Sequence, residues 1–209
     1  MFGIPTDTCS ESVAALKTTD PSGLPRGSCH VRLEVLAVDA LDRATRAEII
    51  DLCESAYHED FARLFDELPG SIHVLARDDR GVLVSHAEWV TRWLQPGDSS
   101  LLRTAYVEAV ATAPERQRQG LGTAVLRRLA GEILADARWE FGALSPSVPG
   151  FYARLGWELW QGSLAIRRER NVEPSAPDAQ VMILRLPRTP ADLDMTSLLT
   201  AEWRVGEVW

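Results

Sequence analysis

Cysteine is scarce in this sequence. There are three, Cys9, Cys29 and Cys53, odd in number and widely spread. Such a set builds no disulfide framework, so a reducing compartment, the cytoplasm, is expected. The four histidines, His30, His58, His73 and His86, fall 28, 15 and 13 residues apart, and no HxxxH or CxxC spacing occurs. No metal site is therefore expected. No apolar run reaches the roughly 18 residues of a membrane span, so no membrane association is expected. The opening Met-Phe-Gly-Ile-Pro-Thr-Asp-Thr-Cys-Ser has neither the basic start nor the long apolar stretch of a secretory signal. Positive charge is in deficit, with 22 Lys and Arg against 30 Asp and Glu, a net −8. Phosphate contacts need a basic footprint, so no nucleic-acid partner is expected. The balance suits a cationic partner, or simply solubility.

What is present is ordinary globular material. The chain has 209 residues, 45% hydrophobic and 25% charged, enough for one domain with appendages. Residues 1–29 hold Pro5, Pro21 and Pro25 among Gly, Ser and Thr, and read as a loosely held extension in which only Val13 to Lys17 is helix-capable. Residues 30–209 read as a single domain. Val31, Leu33 and Val35 alternate with polar residues as in a strand, and Leu41 to Tyr57 has helical spacing with Asp42 as N-cap. Asp60 to Leu68 reads as a second short helix, stopped by Pro69-Gly70. Ile72–Ala76 and Gly81–Val90 read as a strand pair across an Asp78–Gly81 turn, and Leu101–Ala113 as another strand. Gly120–Ala135 is an amphipathic helix, Phe141–Leu144 a short buried strand, and Pro149–Leu155 a short helix ended by Gly156. Trp157–Gln161 and Val181–Leu186 read as late strands, with 167–180 as a loop. The order implies a mixed α/β or α+β domain around one central sheet.

Chemistry concentrates where Tyr106-Val107-Glu108-Ala109-Val110 runs into Gln117-Arg118-Gln119-Gly120-Leu121-Gly122-Thr123 and then directly into a helix. Free N–H groups in a first helical turn, glycines that admit a ligand to the backbone, and Arg116 and Arg118 together favour an anion such as a diphosphate. The plain alternative is a Gly-rich strand–turn–helix. No Gly-Lys-Ser/Thr follows, so this is no Walker loop, and the glycine spacing does not match a dinucleotide fingerprint. About 30 residues on, Tyr152 precedes Gly156-Trp157 by one helical turn.

With these two motifs in this order, residues 30–187 resemble the GCN5-related N-acetyltransferase (GNAT) superfamily. The resemblance implies a mixed, mostly antiparallel central sheet with one splayed strand pair, flanked by helices. It implies acetyl-CoA as cosubstrate and no metal. Gln117, Arg118, Gln119, Gly120, Leu121, Gly122 and Thr123 would cradle the pyrophosphate, and Ala109 and Val110 would bind the pantetheine arm and thioester by their backbone. A narrower likeness lies in Tyr-Val-Glu-Ala-Val (106–110), Gly-Ala-Leu-Ser (142–145), Tyr-Ala-Arg-Leu-Gly-Trp (152–157), Asp60-Phe61 and the ending Glu-Trp-Arg-Val-Gly-Glu-Val-Trp (202–209). These resemble the aminoglycoside 2′-N-acetyltransferases, which implies an aminoglycoside or other cationic amine as acceptor, a homodimer, and antibiotic resistance.

The chemistry then follows. Aminoglycoside amines are largely protonated at neutral pH, and an ammonium cannot attack a thioester. Glu108 is the candidate base, directly or through a water, with mere charge neutralisation as the alternative. The Val110 N–H could donate to the thioester oxygen as it turns negative. Tyr152 would meet the departing sulfur. At reference values, full proton transfer from tyrosine to a thiolate is uphill by about 2 kcal/mol, so hydrogen bonding is the expected role. By resemblance Asp60, Glu207, the carboxylate of Trp209 and, more loosely, Asp178 would bind the polycation, joined by Glu108. Three departures touch the acceptor side: Glu207 where the subfamily has Asp, Pro69-Gly70-Ser71-Ile72-His73 in place of its Gly-Gly-Met-His, and a Pro-containing stretch from Ser145 to Tyr152. A kasugamycin-like aminoglycoside, another small amine or a protein N-terminus are alternative acceptors, and a catalytically silent binding module is a further alternative. Trp89 and Trp93 are expected to cover the sheet or a subunit contact, His86 to be satisfied or exposed, and Cys53 to pack as a small apolar residue.

Overall fold

The structure is a computed structural model that describes residues 12–16 and 29–209. Among the described residues eleven strands join in one sheet: β1 (Ser12–Leu16), β2 (Cys29–Ala37), β3 (Ile72–Asp78), β4 (Leu83–Pro96), β5 (Leu102–Thr112), β6 (Phe141–Leu144), β7 (Glu158–Leu159), β8 (Leu164–Arg168), β9 (Asn171–Pro174), β10 (Met182–Arg185) and β11 (Leu199–Glu202). The α-helices of the described residues are α1 (Arg43–Tyr57), α2 (Leu64–Glu67), α3 (Leu121–Ala135) and α4 (Pro149–Ala153). The main strand order is β1-β2-β3-β4-β5-β6-β10-β7. Pairing is antiparallel except for β5 with β6 and β8 with β11. No helix of the described residues is long and apolar enough to cross a membrane.

Both faces of the sheet are covered, which is why its central strands carry long apolar runs rather than clean alternation. On β3, Val74 and Ala76 meet the cluster that includes Leu121, Val125, Leu129 and Ile133 of α3. Between them Leu75 faces the other way, toward Ile49, Leu52 and Cys53 of α1. The helix α1 starts where Asp42 Oδ1 accepts from the Thr45 N–H at 2.7 Å, the N-cap its sequence implied.

Several elements differ from the sequence expectation. Within the helix-capable Val13 to Lys17, the described residues are not helical: Ser12–Leu16 is an edge strand paired antiparallel with β2, and Lys17 lies outside the described residues. Sheet pairing overrides a weak local helix preference. The rest of the extension lies outside the described residues. The second helix shrinks to one turn, because Asp60 Oδ1 binds the Ala62 N–H at 2.8 Å and holds the preceding residues in a turn. The 167–180 stretch is not all loop. Arg168 and Asn171 close a β8–β9 hairpin, and β8 is covered in turn by β11, a strand with no local signal.

Two irregularities create the site. Parallel pairing of β5 with β6 stops at Val107 and Leu144, while β5 runs on to Thr112, so the two strands part. On the other edge of β5, the register with β4 passes from Glu88–Glu108 to His86–Ala111, leaving Ala109 and Val110 opposite a single residue. This is a β-bulge, and Ala109 sits in it at φ +47°. A left-handed alanine costs about 1–2 kcal/mol, which the surrounding ladder must offset.

Candidate active site

A cavity of about 480 Å³ opens at the parting of β5 and β6. Its walls include Asp60, Glu108, Ala109, Val110, Tyr152, Glu207 and Trp209, seven residues scattered over 150 positions of sequence and expected at the site. The sheet brings β5 and α4 to one side, and the last eight residues fold back to form the other. Asp178 is not among them. It lies exposed in the turn after β9.

Glu108 is one position before the bulge. Its side chain is only 17% exposed, and burial raises its pKa above the usual carboxylate range, with the Arg204 guanidinium pulling the other way. Arg204 Nη2 donates to Glu108 Oε1 at 2.5 Å. A residue of the C-terminal tail thus caps the candidate base. Arg204 belongs to the tail motif Glu-Trp-Arg-Val-Gly-Glu-Val-Trp, and nothing within that short stretch indicates its partner.

The tail is held by side chains that sequence patterning did not single out. Buried Arg92 donates to the carbonyls of Glu202 and Val208 and stacks on the Tyr106 ring. Trp209 Nε1 donates to Ser175 Oγ at 2.6 Å. Gly206 takes φ +80°, which turns the chain so that Glu207 reaches the cavity mouth. Glu59 and Glu67 also line the cavity, Glu67 with its carboxylate against Gly206 of the tail, so the lining holds five side-chain carboxylates against two guanidiniums, Arg63 and Arg204. This local excess of negative charge matches a cationic guest.

Tyr152 is buried beside Phe151 and Trp157. Burial pushes its hydroxyl up to about 12. Against a thiol near 8.5, full proton transfer is now uphill by about 5 kcal/mol rather than 2. Donation of a hydrogen bond without transfer is the chemistry this environment permits.

The Gly-rich segment lies beyond the far end of β5. Arg118 and Gly120 both take left-handed backbone, φ +61° and +86°. Such alternation turns successive N–H groups inward into an anion nest. Gly120 is the N-cap of α3 and no side chain caps that helix, so its first-turn donors at Leu121, Gly122 and Thr123 are left for a ligand. Leu121's own side chain is core, which confines any ligand role to its backbone. A Cβ on Gly122 would stand 3.3 Å from Thr112 Oγ1 and 3.5 Å from the Phe151 ring, so the bare glycine lets the helix start close against β5. The side chains of Gln117 and Gln119 bind within the segment, Gln117 to the Thr112 carbonyl and Gln119 to Arg116 and the Glu115 carbonyl. The loop is therefore preformed. Backbone donors, a bulged strand and a cavity between them fit a diphosphate-bearing thioester such as acetyl-CoA.

Beneath Glu108 lies a group the sequence did not foresee as a unit. His73, Glu88 and Glu108 are direct cross-strand neighbours on β3, β4 and β5. His86 is beside them, fully buried and satisfied rather than exposed. Trp89 is buried in the sheet, whereas Trp93 is 46% exposed. Cys53 is a buried thiol whose pKa burial pushes to about 12, consistent with packing.

Comparison with known proteins agrees with this geometry. The model of the acetyltransferase (GNAT) domain family matches residues 38–160. The chain is 32% identical to aminoglycoside 2′-N-acetyltransferase of Mycolicibacterium fortuitum over 195 residues, 91% of this chain and 98% of that protein. It is 35% identical to mycothiol acetyltransferase of Nocardia farcinica over 130 residues, 59% of this chain and 39% of that protein. Among solved structures, the GNAT family N-acetyltransferase YhbS from Escherichia coli in complex with CoA superposes with a TM-score of 0.56 at 16% identity, covering 82% of this chain and 90% of that one. The last likeness is one of fold. The family model, matched over more than half of the chain, and the relative, matched over nearly its full length, show that this chain belongs to the GNAT acetyltransferases.

Proposed function

We propose that the protein transfers an acetyl group from acetyl-CoA to the 2′-amine of an aminoglycoside. The observation that carries the reading is the cavity itself: a bulged strand end, a buried tyrosine and five carboxylates share one wall system. The relative of 32% identity, an aminoglycoside 2′-N-acetyltransferase matched over 98% of its length, supports the choice of acceptor.

Acetyl-CoA, when bound, supplies the activated acyl group. The nest around Gly120 and the first turn of α3 hold the pyrophosphate by backbone donors. The Val110 N–H donates to the thioester oxygen, where negative charge develops. Asp60, Glu67 and Glu207 hold the polycation by charge-assisted hydrogen bonds. Glu108 accepts the proton that the acceptor ammonium must lose, directly or through one water. Its raised pKa makes it a stronger base than an exposed glutamate. To reach it, the acceptor ammonium competes with Arg204 for the same carboxylate. Tyr152 donates a hydrogen bond to the departing sulfur and keeps its proton.

The test is steady-state CoA release with acetyl-CoA and a panel that pairs aminoglycosides bearing a 2′-amine with matched ones bearing a 2′-hydroxyl, with kasugamycin included. Turnover confined to 2′-amine compounds, with KM raised at least tenfold in Glu207→Gln, is expected. Turnover of kasugamycin alone would keep the reaction and refute the acceptor. Equal turnover of 2′-amine and 2′-hydroxyl compounds would refute the regiochemistry.

A further inference from the structure

At the bulge, side chains meet two successive backbone carbonyls. His86 Nδ1 lies 3.0 Å from the Ala109 carbonyl, and the Tyr57 hydroxyl donates to the Val110 carbonyl at 2.8 Å. Behind His86 the contacts continue inward. His86 Nε2 lies 3.0 Å from His73 Nδ1, and His73 Nε2 lies 2.9 Å from Ser71 Oγ. Ser71, His73 and His86 are each at most 1% exposed.

The proton directions follow from one fact: a carbonyl can only accept. His86 Nδ1 must carry the hydrogen, so its Nε2 is the acceptor in the neutral ring. His73 Nδ1 must then donate to it, which leaves His73 Nε2 to accept from the Ser71 hydroxyl. Along these contacts two neutral rings take the order Ser71 to His73 to His86 to Ala109, with Glu88 Oε2, 3.3 Å from His73 Nδ1, as a further neighbour of the same hydrogen. Burial holds both rings neutral, lowering His86 to about 4 and His73 to about 3.

The carbonyl of Ala109 and the N–H of Val110 belong to one planar trans peptide, so they point in opposite directions. Whatever grips that carbonyl aims that N–H. We propose that His86, its tautomer locked by His73 and Ser71, is the positioning residue that aims the Val110 N–H at the thioester oxygen. The proposal rests on the role given to Val110 in the proposed function. It adds three residues that touch neither substrate, and it assigns work to a strained alanine that the bulge alone would leave free to turn.

The experiment reads the thioester itself. The carbonyl stretch of [1-13C]acetyl-CoA is measured by infrared difference spectroscopy, free and bound to wild type, His86→Leu and His86→Asn. The Asn amide nitrogen reaches the place of the imidazole Nδ1, so that variant keeps the donor. CoA affinity by calorimetry identifies the folded, binding-competent protein in each case. In wild type the band is expected to move to lower wavenumber on binding. His86→Leu should lose at least half of that displacement and, with a competent acceptor, roughly 10–100-fold in kcat, while CoA affinity stays within about threefold. His86→Asn should recover most of both. Full wild-type displacement in His86→Leu would overturn the proposal, as would an Asn variant no better than Leu at equal CoA affinity. So would one equivalent of a divalent metal in the purified protein, since His73, His86 and Glu88 would then face an ion instead of sharing protons. The band needs no acceptor, so the predicted pattern would support the proposal even if no aminoglycoside turned over.

Discussion

Replacing Arg204 with Gln should move the acidic limb of the pH–rate profile upward. Arg204 and Glu108 meet at 2.5 Å, with charge centres about 4 Å apart. At an effective dielectric of 20, that separation gives about 4 kcal/mol, equivalent to about three pH units. Both side chains are less than one-fifth exposed, so solvent screens part of this interaction and not all of it. A rise of about one to two pH units is expected. The sign follows from the two opposed influences on Glu108. Burial raises its pKa and Arg204 lowers it, so loss of the cation leaves burial alone. A base works only when deprotonated, so kcat/KM of the variant should appear at higher pH than in wild type. Above the new limb, where Glu108 is ionised in both proteins, the acceptor no longer competes with Arg204 and its KM should fall. The assay is CoA release from pH 5 to 10, with 13C-carboxyl NMR of Glu108 in the free protein as a check that needs no acceptor. A limb that stays in place, or moves to lower pH, would refute the role of Glu108 as the titrating base capped by Arg204.

Three further outcomes are expected. Glu88 is fully buried, with Oε2 3.3 Å from His73 Nδ1; burial first, then the nearby Glu108, raises it from 4.5 to about 8 against the lowering pull of Ser71. A carboxyl raised in the folded state is tolerated below its unfolded pKa and weakens the fold as pH climbs through the folded one, so Glu88→Gln should match wild type near pH 4 and exceed it increasingly from pH 5 to 8, by at most about 5 kcal/mol. Denaturant unfolding at several pH values checks this, and parallel profiles would count against it. Tyr152→Phe should lower kcat about tenfold with the acetyl-CoA KM within threefold, since the hydroxyl acts on the leaving sulfur; a large KM change in steady-state kinetics would argue for a packing role. Gly120→Ala should cost about 1–2 kcal/mol of stability at φ +86° and weaken CoA binding about tenfold, measured by thermal unfolding and calorimetry.

Much of the scaffold was legible because its signals are local. The N-cap at Asp42, the helical spacing of α3 and the glycines at 120 and 156 each constrain the backbone within a turn of themselves. The Gly-rich segment and Tyr152 were legible for the same reason, their motifs being short and contiguous. The β8–β9 hairpin and β11 were not, since the pairing that seats them in the sheet is long-range, β8 with β11 about 35 residues apart and β11 with β4 about 105 apart. The assignment of Asp178 rests on a loose motif match, and the cavity lining does not include that residue.

By itself the sequence determined which backbone could bend where, and which residue types could hold a diphosphate or take a proton, because those properties belong to a residue and its near neighbours. Only the tertiary structure decided that Arg204 would meet Glu108 across 96 positions, and that Ser71, His73 and His86 would converge on one carbonyl of β5. Such contacts depend on strand register and on the return of the tail. Both are set by the burial of whole faces, and no short stretch of sequence encodes them.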